Sequence, residues 1–215
     1  MAFGGLFRSA YSKDHGSSLG CAMPDPNTET IVLGGGCFWC TEAVFSQLRG
    51  VREVVPGYAG GRAEDANYET VSSGATDHVE VIRVIYEPAA ISVEMILNVF
   101  FATHDPTTPN RQGHDVGRQY RSVIFYTSDT QKEIALRVIR ALESARTFSD
   151  PIVTEVVALP AFHPAEEYHQ RYYENNARAP YCQAVIAPKL EKLHHTFEAE
   201  LVGTATVDKG EASKG

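Results

Sequence analysis

Runs of β-branched and aromatic residues alternate along the chain with segments in which apolar residues recur every three or four positions. The first pattern is typical of strands and the second of amphipathic helices. The strand pattern occurs at residues 30–33, 54–61, 78–86, 121–126 and 152–158. The helix pattern occurs at residues 38–48, 91–101, 128–145, 164–173 and 189–201. Strands and helices interleave without a regular β-α-β repeat, so we predict one α+β domain built on a mixed sheet.

The two ends of the chain differ from this domain in composition. Residues 1–29 are rich in small residues and lack the unbroken apolar stretch of a secretory signal. We predict a flexible N-terminal tail over residues 1–29, a folded domain over 30–202 and a disordered C-terminal tail over 203–215. Inside the domain, residues 104–119 form a long polar loop, and loops of this length in compact domains are more often functional than idle.

Composition excludes some functions. The chain has 215 residues, 43% of them hydrophobic, which is enough for one sizeable core. A formal net charge of −8 argues against a nucleic-acid or anionic-membrane partner, because both require a basic face. Four cysteines, at positions 21, 37, 40 and 182, are too few for a disulfide scaffold in a chain this long. We therefore expect reduced thiols and a cytoplasmic protein.

The densest chemical motif is GGGCFWC at residues 34–40. Cys37 follows three glycines and begins a predicted helix, whose N-terminus favours a thiolate over a thiol. A thiolate is the form that attacks electrophilic sulfur. The alternative is a buried, inert cysteine. Phe38 and Trp39 are either core residues or an apolar wall that holds a methyl group beside the sulfur.

The spacing Cys37-x-x-Cys40 allows two further interpretations. One is a thioredoxin-like dithiol, although the Phe-Trp spacer is unusual for that class. The other is half of a zinc site in a redox-sensing or metal-binding module. Zinc requires about four ligands, and the sequence has no second C-x-x-C motif, while the adjacent His194 and His195 are poorly spaced for one metal.

Five motifs, in order along residues 30–200, closely resemble those of the A-type peptide methionine sulfoxide reductases. They are GGGCFWCTEAVFSQLRGVREVVPGYAGG, NYETVSSGATDHVEVIRVIYEP, HDPTTPNRQGHDVGRQYRSVIFY, PAEEYHQRYY and PYCQAVIAPKL. The resemblance implies a single-domain two-layer α/β sandwich with a ferredoxin-like core, a mixed sheet and extensive coil. It also implies a monomer that needs no cofactor and reduces the S epimer of methionine sulfoxide, in oxidised proteins and as the free amino acid.

The resemblance assigns the two reacting groups. Cys37 matches the nucleophile that attacks the sulfoxide sulfur, and Glu80 matches the acid that protonates the oxygen. Elementary physics also favours Glu80, which shares a strand face with Ile82 and Val84, because apolar neighbours raise the pKa of a carboxyl group. Without the resemblance, Glu80 is also compatible with a surface position at a sheet edge.

Other positions match the family's substrate-binding residues. Tyr68 and Tyr120 correspond to tyrosines that hydrogen-bond the sulfoxide oxygen, and Asp115 to an acidic residue that orders the site. Phe38 and Trp39 correspond to the pocket for the substrate methyl group. Two neighbours depart from the family pattern, Asp77 where glycine is usual and His114 where asparagine is usual; neither removes a reacting group.

The implied reaction leaves Cys37 as a sulfenic acid, which a second thiol converts to a disulfide. Cys182 is the favoured second thiol, because it matches the family's C-terminal resolving cysteine and lies in a predicted Pro-flanked loop that can swing towards the site. Cys40, one helical turn from Cys37, is the alternative. Thioredoxin or another dithiol then restores the enzyme. We expect Cys21 to be an exposed tail thiol.

Overall fold

A computed structural model describes residues 25–202. Its strands are β1 (Glu29–Gly35), β2 (Val51–Ala59), β3 (Val79–Tyr86), β4 (Arg111–Gln112), β5 (Asp115–Val116), β6 (Ser122–Tyr126), β7 (Glu155–Ala158) and β8 (Phe162–Pro164). Its α-helices are α1 (Phe38–Phe45), α2 (Tyr68–Ser72), α3 (Val93–Thr103), α4 (Asp129–Ser144), α5 (Tyr172–Asn176) and α6 (Ala187–Thr196). A π-helical turn spans Cys182–Ile186, and 3-10 turns lie at Ala63–Asp65, Arg118–Tyr120, Glu167–His169 and Glu198–Glu200.

Six strands form one mixed sheet in the order β7-β6-β1-β3-β2-β8. Neighbouring strands are antiparallel except β6 and β7, which are parallel. The short strands β4 and β5 form a separate hairpin. Ser128 begins α4 as predicted, with its side chain accepting a hydrogen bond from the backbone N–H of Gln131.

Alternate residues of the central strands face opposite sides of the sheet. Ile31, Leu33 and Ile82 share one buried cluster with apolar residues of α1, α3, α4 and α6. Val32 and Val81 face the other side, where a smaller cluster packs against Leu159 and Phe162. The helices therefore cover one face of the sheet, which confirms the predicted α+β fold around a mixed sheet.

Three glycines carry the chain from β1 into α1. A Cβ atom at Gly34 would lie 2.8 Å from the side chain of Val123, and one at Gly35 would lie 2.9 Å from the ring of Phe100. Gly36 has a φ of 95°, a conformation that side-chain-bearing residues rarely adopt. Only glycine fits this close and strained turn, which delivers Cys37 to the start of α1.

Two predictions near the C-terminus are wrong. Residues 164–173 do not form one continuous helix, because Pro164 pairs with Gly57 at the edge of the sheet and Arg171 adopts a left-handed conformation with a φ of 53°. A 3-10 turn and the start of α5 are the only helical parts of this range. Proline has no N–H to donate, so it is tolerated on an edge strand. Cys182 does not lie in a loop; it begins the π-helical turn, which continues directly into α6.

The tails predicted for residues 1–29 and 203–215 stay predictions, since residues 1–24 and 203–215, with Cys21, lie outside the described residues. Within residues 25–202, no helix has the length and apolar character needed to cross a membrane.

Candidate active site

A cavity of about 190 Å³ lies beside the start of α1. Its lining residues are Cys37, Phe38, Trp39, Tyr68, Glu80, Asp115, Tyr120 and Tyr181. The structure thus brings together every residue that the sequence predicted for attack, protonation and substrate binding, and it adds Tyr181. Cys40 and Cys182, the two candidates for the second thiol, do not line the cavity.

Cys37 is the residue at which α1 begins. Its carbonyl oxygen accepts the backbone N–H groups of Cys40 at 3.1 Å and Thr41 at 3.4 Å. Only 8% of Cys37 is exposed, and the thiol of Cys40, one helical turn further on, is the largest influence on the pKa of the Cys37 thiol. The two thiols of the C-x-x-C motif therefore interact on the first turn of the helix.

The protonation of this thiol pair differs from the prediction. The hydrogen bond to Cys40, followed by burial, raises the pKa of Cys37 well above its usual range. The same hydrogen bond lowers the pKa of Cys40 to about 7 against the effect of burial, with the positive charge of Lys189 contributing. The pair therefore loses its first proton near neutral pH, and this first step belongs to the two thiols together rather than to Cys37 alone.

Glu80 is buried in β3, with its carboxyl group beside the start of α1. It is 2% exposed, and its Oε2 accepts the backbone N–H of Phe38 at 3.1 Å. Burial raises the pKa of Glu80 to about 8, although that hydrogen bond opposes the shift. The carboxyl group is consequently protonated at neutral pH and able to donate a proton into the cavity.

Two tyrosines from separate elements reach the same cavity. Tyr68 begins α2, and its backbone N–H donates to Glu166 Oε1 at 2.9 Å. The hydroxyl group of Tyr58 donates to the other oxygen of Glu166, also at 2.9 Å. Tyr120 comes from the 3-10 turn that follows the β4–β5 hairpin. Burial, followed by the charge of Glu80, raises the pKa of both Tyr68 and Tyr120, so both stay neutral hydroxyl donors.

Aromatic rings form one wall of the cavity. The ring of Trp39 stacks on that of Tyr172, with centroids 3.7 Å apart and planes 9° apart. Its indole N–H donates to Nδ1 of His169 at 3.1 Å. Phe38 lies against the rings of Tyr58 and His169 at 5.9 and 5.1 Å. Trp39 is therefore fixed from two sides, and an apolar surface stands next to the Cys37 sulfur.

Tyr181 is the site residue that the sequence did not reveal. Its hydroxyl oxygen lies 3.5 Å from the Cys40 sulfur and donates to Asp115 Oδ2 at 3.4 Å. Tyr181 thereby connects the hairpin that carries Asp115 with the thiol pair. The only signal in the sequence was its position directly before Cys182. Because a loop was predicted there, the sequence did not indicate where the Tyr181 side chain would lie.

Cys182 is fully buried in the π-helical turn, with no exposed surface. Burial raises the pKa of its thiol, and the charge on Cys40 raises it further. Cys182 thus lies close enough to Cys40 to feel its charge, and Cys40 in turn interacts with Cys37.

The two departures from the family pattern lie on the exposed surface. Asp77 forms an ion pair with Arg118 at 2.7 Å, and His114 is exposed on the β4–β5 hairpin. Neither residue lines the cavity. Among the described residues, no cluster of three or more His, Cys, Asp or Glu side chains is arranged to hold a metal ion.

A thiol one helical turn from a second thiol, sharing a cavity with a neutral carboxyl group and an apolar wall, is the arrangement of a cysteine-based reductase. Residues 29–201 match the profile of the family described as peptide methionine sulfoxide reductase. The chain belongs to this family, and it is an oxidoreductase of the A type. Both the family and the fold predicted from the sequence are confirmed.

Individual relatives agree with this assignment. Peptide methionine sulfoxide reductase MsrA of Chromobacterium violaceum is 56% identical over 169 residues, which cover 79% of this chain and 96% of the relative. The crystal structure of Mxr1 from Saccharomyces cerevisiae in reduced form has a TM-score of 0.68 at 33% identity, covering 74% of this chain and 91% of that one. Methionine sulfoxide reductase A of Corynebacterium diphtheriae has a TM-score of 0.65 at 32% identity, covering 74% and 80%.

Proposed function

We propose that the protein reduces the S epimer of methionine sulfoxide to methionine, in oxidised proteins and as the free amino acid. The observation that carries this proposal is the shared cavity of Cys37 and Glu80, in which a sulfur nucleophile and a protonated acid face one small space. Two protein thiols supply the two electrons, so the reaction requires no cofactor. A monomeric state and a cytoplasmic location stay predictions.

The first step requires a proton on the sulfoxide oxygen, because a bare oxide is a poor leaving group. Glu80 donates that proton, and the hydroxyl groups of Tyr68 and Tyr120 hold the oxygen. Cys40, whose thiol interacts with that of Cys37, accepts the proton of the attacking thiol. The Cys37 sulfur then takes the oxygen, which yields methionine and a sulfenic acid on Cys37.

The apolar wall explains why one epimer is selected. Phe38 and Trp39 receive the methyl group on one side of the Cys37 sulfur, while Glu80 and the tyrosines receive the oxygen. Because the two subsites are fixed, only one configuration at the substrate sulfur satisfies both and still faces Cys37. That this is the S configuration comes from the family.

The geometry supports Cys40 as the first resolving thiol, whereas the sequence favoured Cys182. Cys40 lies one helical turn from Cys37, and the lowered pKa of its thiol, about 7, provides a thiolate near neutral pH. It attacks the sulfenic acid, releases water and forms a Cys37–Cys40 disulfide. Cys182 then attacks the Cys40 sulfur, which frees Cys37 and passes the disulfide to Cys40 and Cys182. Thioredoxin or another dithiol reduces that final disulfide.

The experiment that tests the function is an assay with each separated epimer of a methionine sulfoxide peptide and with dithiothreitol as reductant. We expect turnover of the S epimer and none of the R epimer. Equal rates with both epimers would contradict the fixed subsites. Reduction of insulin disulfides in place of sulfoxide would indicate a general disulfide oxidoreductase.

The order of the thiols is tested with Cys182→Ser. This variant should complete one turnover, accumulate a Cys37–Cys40 disulfide that mass spectrometry identifies, and fail to cycle with thioredoxin. Full thioredoxin-driven cycling would leave Cys40 as the only resolving cysteine. In the matched variant Cys40→Ser, a Cys37–Cys182 disulfide formed at the wild-type rate would restore the order favoured by the sequence.

A further inference from the structure

Glu42 is a buried carboxyl group on α1 that the proposed chemistry does not use. It is 3% exposed and does not line the cavity. Among residues 25–202, no lysine or arginine side chain forms an ion pair with it; the guanidinium group of Arg171 pairs with Glu174 instead, at 2.9 Å. A carboxyl group is rarely buried in this way without a partner, so its contacts indicate what it does.

The Glu42 carboxyl group accepts two consecutive backbone N–H groups. Oε1 accepts the N–H of Arg171 at 2.6 Å, and Oε2 accepts that of Tyr172 at 3.1 Å. Arg171 has φ 53° and ψ 38°, a left-handed conformation that is unfavourable for a residue with a side chain. Such a turn persists only where its surroundings hold it, and here the two hydrogen bonds to Glu42 do so.

The residue placed by this turn supports the wall of the cavity. Tyr172 stacks on Trp39 with centroids 3.7 Å apart and nearly parallel planes. Trp39 lines the cavity beside Cys37, whereas Tyr172 does not. A continuous set of contacts therefore runs from Glu42, through the backbone and ring of Tyr172, to Trp39.

We propose that Glu42 is a positioning residue for substrate binding, whose carboxyl group fixes Tyr172 against Trp39 and thereby sets the wall that receives the substrate methyl group. This inference rests on the proposed function of Trp39. It predicts a specific division of effects, since Cys37 and Glu80 do not depend on the position of Tyr172. Loss of Glu42 weakens substrate binding and leaves the chemical steps intact.

The first test is Glu42→Gln, which keeps the shape of the side chain but replaces one acceptor oxygen with an NH2 group. One backbone N–H then loses its partner, and the turn at Arg171 loosens. We expect KM for a methionine sulfoxide peptide to rise about tenfold, as the loss of a well-placed aromatic contact would produce, with kcat within about twofold of wild type.

Trp39 provides a readout that is independent of activity, because it is the only tryptophan in the chain. In Glu42→Gln its fluorescence should shift to the red and become more accessible to acrylamide. Glu174→Gln is the matched control, since it removes only the exposed partner of the Arg171 side chain and should change neither KM nor fluorescence. An unchanged Trp39 signal in folded Glu42→Gln overturns the inference.

A double-mutant cycle with Tyr172→Ala tests whether the two residues act through one contact, and Tyr172→Ala alone keeps the inference testable where Glu42→Gln is too unstable to purify. Tyr172→Ala should reproduce the higher KM and the Trp39 signal, and adding Glu42→Gln should change KM little further, because both act through one contact. Independent, multiplying effects overturn the inference. An altered Trp39 signal with unchanged KM also overturns the inference, because it would show that the position of Trp39 does not affect substrate binding. A wild-type protein that is inactive on both epimers would instead refute the proposed function itself.

Discussion

Two regions of the molecule meet at the cavity and are built in different ways. The proposed reacting groups, Cys37 and Glu80, stand at the start of α1 and inside β3, where helix and sheet register fix their positions. The surrounding residues His169, Tyr172 and Tyr181 come from residues 162–186, a succession of short turns. The comparison teaches that rigid elements hold the reacting groups and the wall of the cavity, while irregular chain supplies the residues that support this wall and the recycling thiol.

The two regions are also stabilised differently. The sheet side of the site rests on fully buried apolar residues such as Leu33 and Ile82. The irregular side is held by two carboxyl groups. The buried Glu42 of α1 accepts the backbone N–H of Arg171 from this region. The partly buried Glu166, which belongs to this region, accepts the backbone N–H of Tyr68. Substitutions in the first region should therefore affect the chemical step, and those in the second should affect substrate binding.

The largest effect is expected from Cys37→Ser, on the rigid side. A hydroxyl group in place of the thiol cannot form a sulfenic acid or a disulfide, so no methionine should form even in a single turnover. The measurement is methionine released per enzyme molecule without added reductant. Cys182→Ser is the comparison, because it should still release one equivalent. Release of one full equivalent of methionine by Cys37→Ser would show that another residue is the nucleophile.

Glu80→Gln should produce the next largest effect. The amide keeps the size of the side chain but has no acidic proton to give to the sulfoxide oxygen. Loss of a general acid lowers a rate by roughly 10²–10⁴-fold. Rapid-quench measurement of the oxygen-transfer step, separate from recycling, checks this value. A single-turnover rate equal to that of wild type would remove Glu80 from the mechanism.

The pH dependence of the same step should be bell-shaped. The pKa of Glu80 is raised to about 8, so the acid form is lost as the pH rises through that value. The pKa of Cys40 is lowered to about 7, so the rate should also fall below that value as Cys40 becomes protonated. On each side the rate should change about tenfold per pH unit. Glu80→Gln should lack the alkaline limb, and a retained limb would assign it to another group.

The raised pKa of Glu80 also affects stability, with a defined sign. The folded protein binds this proton more tightly than the unfolded chain, whose carboxyl titrates near 4.5. The contribution of Glu80 to the unfolding free energy should therefore decrease between about pH 4.5 and 8, by up to about 1.4 kcal/mol per pH unit. Denaturation of wild type and Glu80→Gln across this range tests it; parallel curves would contradict a buried, titrating carboxyl group.

The smallest effect is expected on the irregular side, from Glu166→Gln. Glu166 accepts the backbone N–H of Tyr68 and the hydroxyl group of Tyr58, and these bonds keep its pKa low although burial opposes this. The amide retains one acceptor, so Tyr68 should shift only slightly. One weakened hydrogen bond, about 1 kcal/mol, corresponds to a rise in KM of about fivefold at constant kcat. A fall in kcat alone would place Glu166 with the reacting groups.

Most of the cavity was predictable because its residues lie in motifs with strong local constraints. The glycines before Cys37 fit only a close turn, and the alternation in β3 puts Glu80 on the buried face with Ile82. Local patterns of this kind fix local geometry, which the sheet then brings together. Tyr68 and Tyr120 came from the family resemblance alone, because nothing in their surroundings indicates a hydroxyl donor.

The irregular region escaped prediction for physical reasons. The helix at residues 164–173 was expected because proline is favoured at the first position of a helix. Pairing of Pro164 with β2 and the left-handed Arg171 override this preference. The burial of Cys182 depends on packing against elements distant in sequence, which no local pattern records. The protonation of the thiol pair likewise depends on the interaction between Cys37 and Cys40 and on burial, which the position at a helix N-terminus does not reveal.

The burial of the thiols has a consequence for the reduced enzyme. Cys37, Cys40 and Cys182 expose only 8%, 2% and 0% of their surface. Within residues 25–202, dissolved peroxide therefore meets almost no cysteine sulfur at the surface and must first enter a cavity shaped for another molecule. The same walls that admit a sulfoxide shield these thiols from other oxidants.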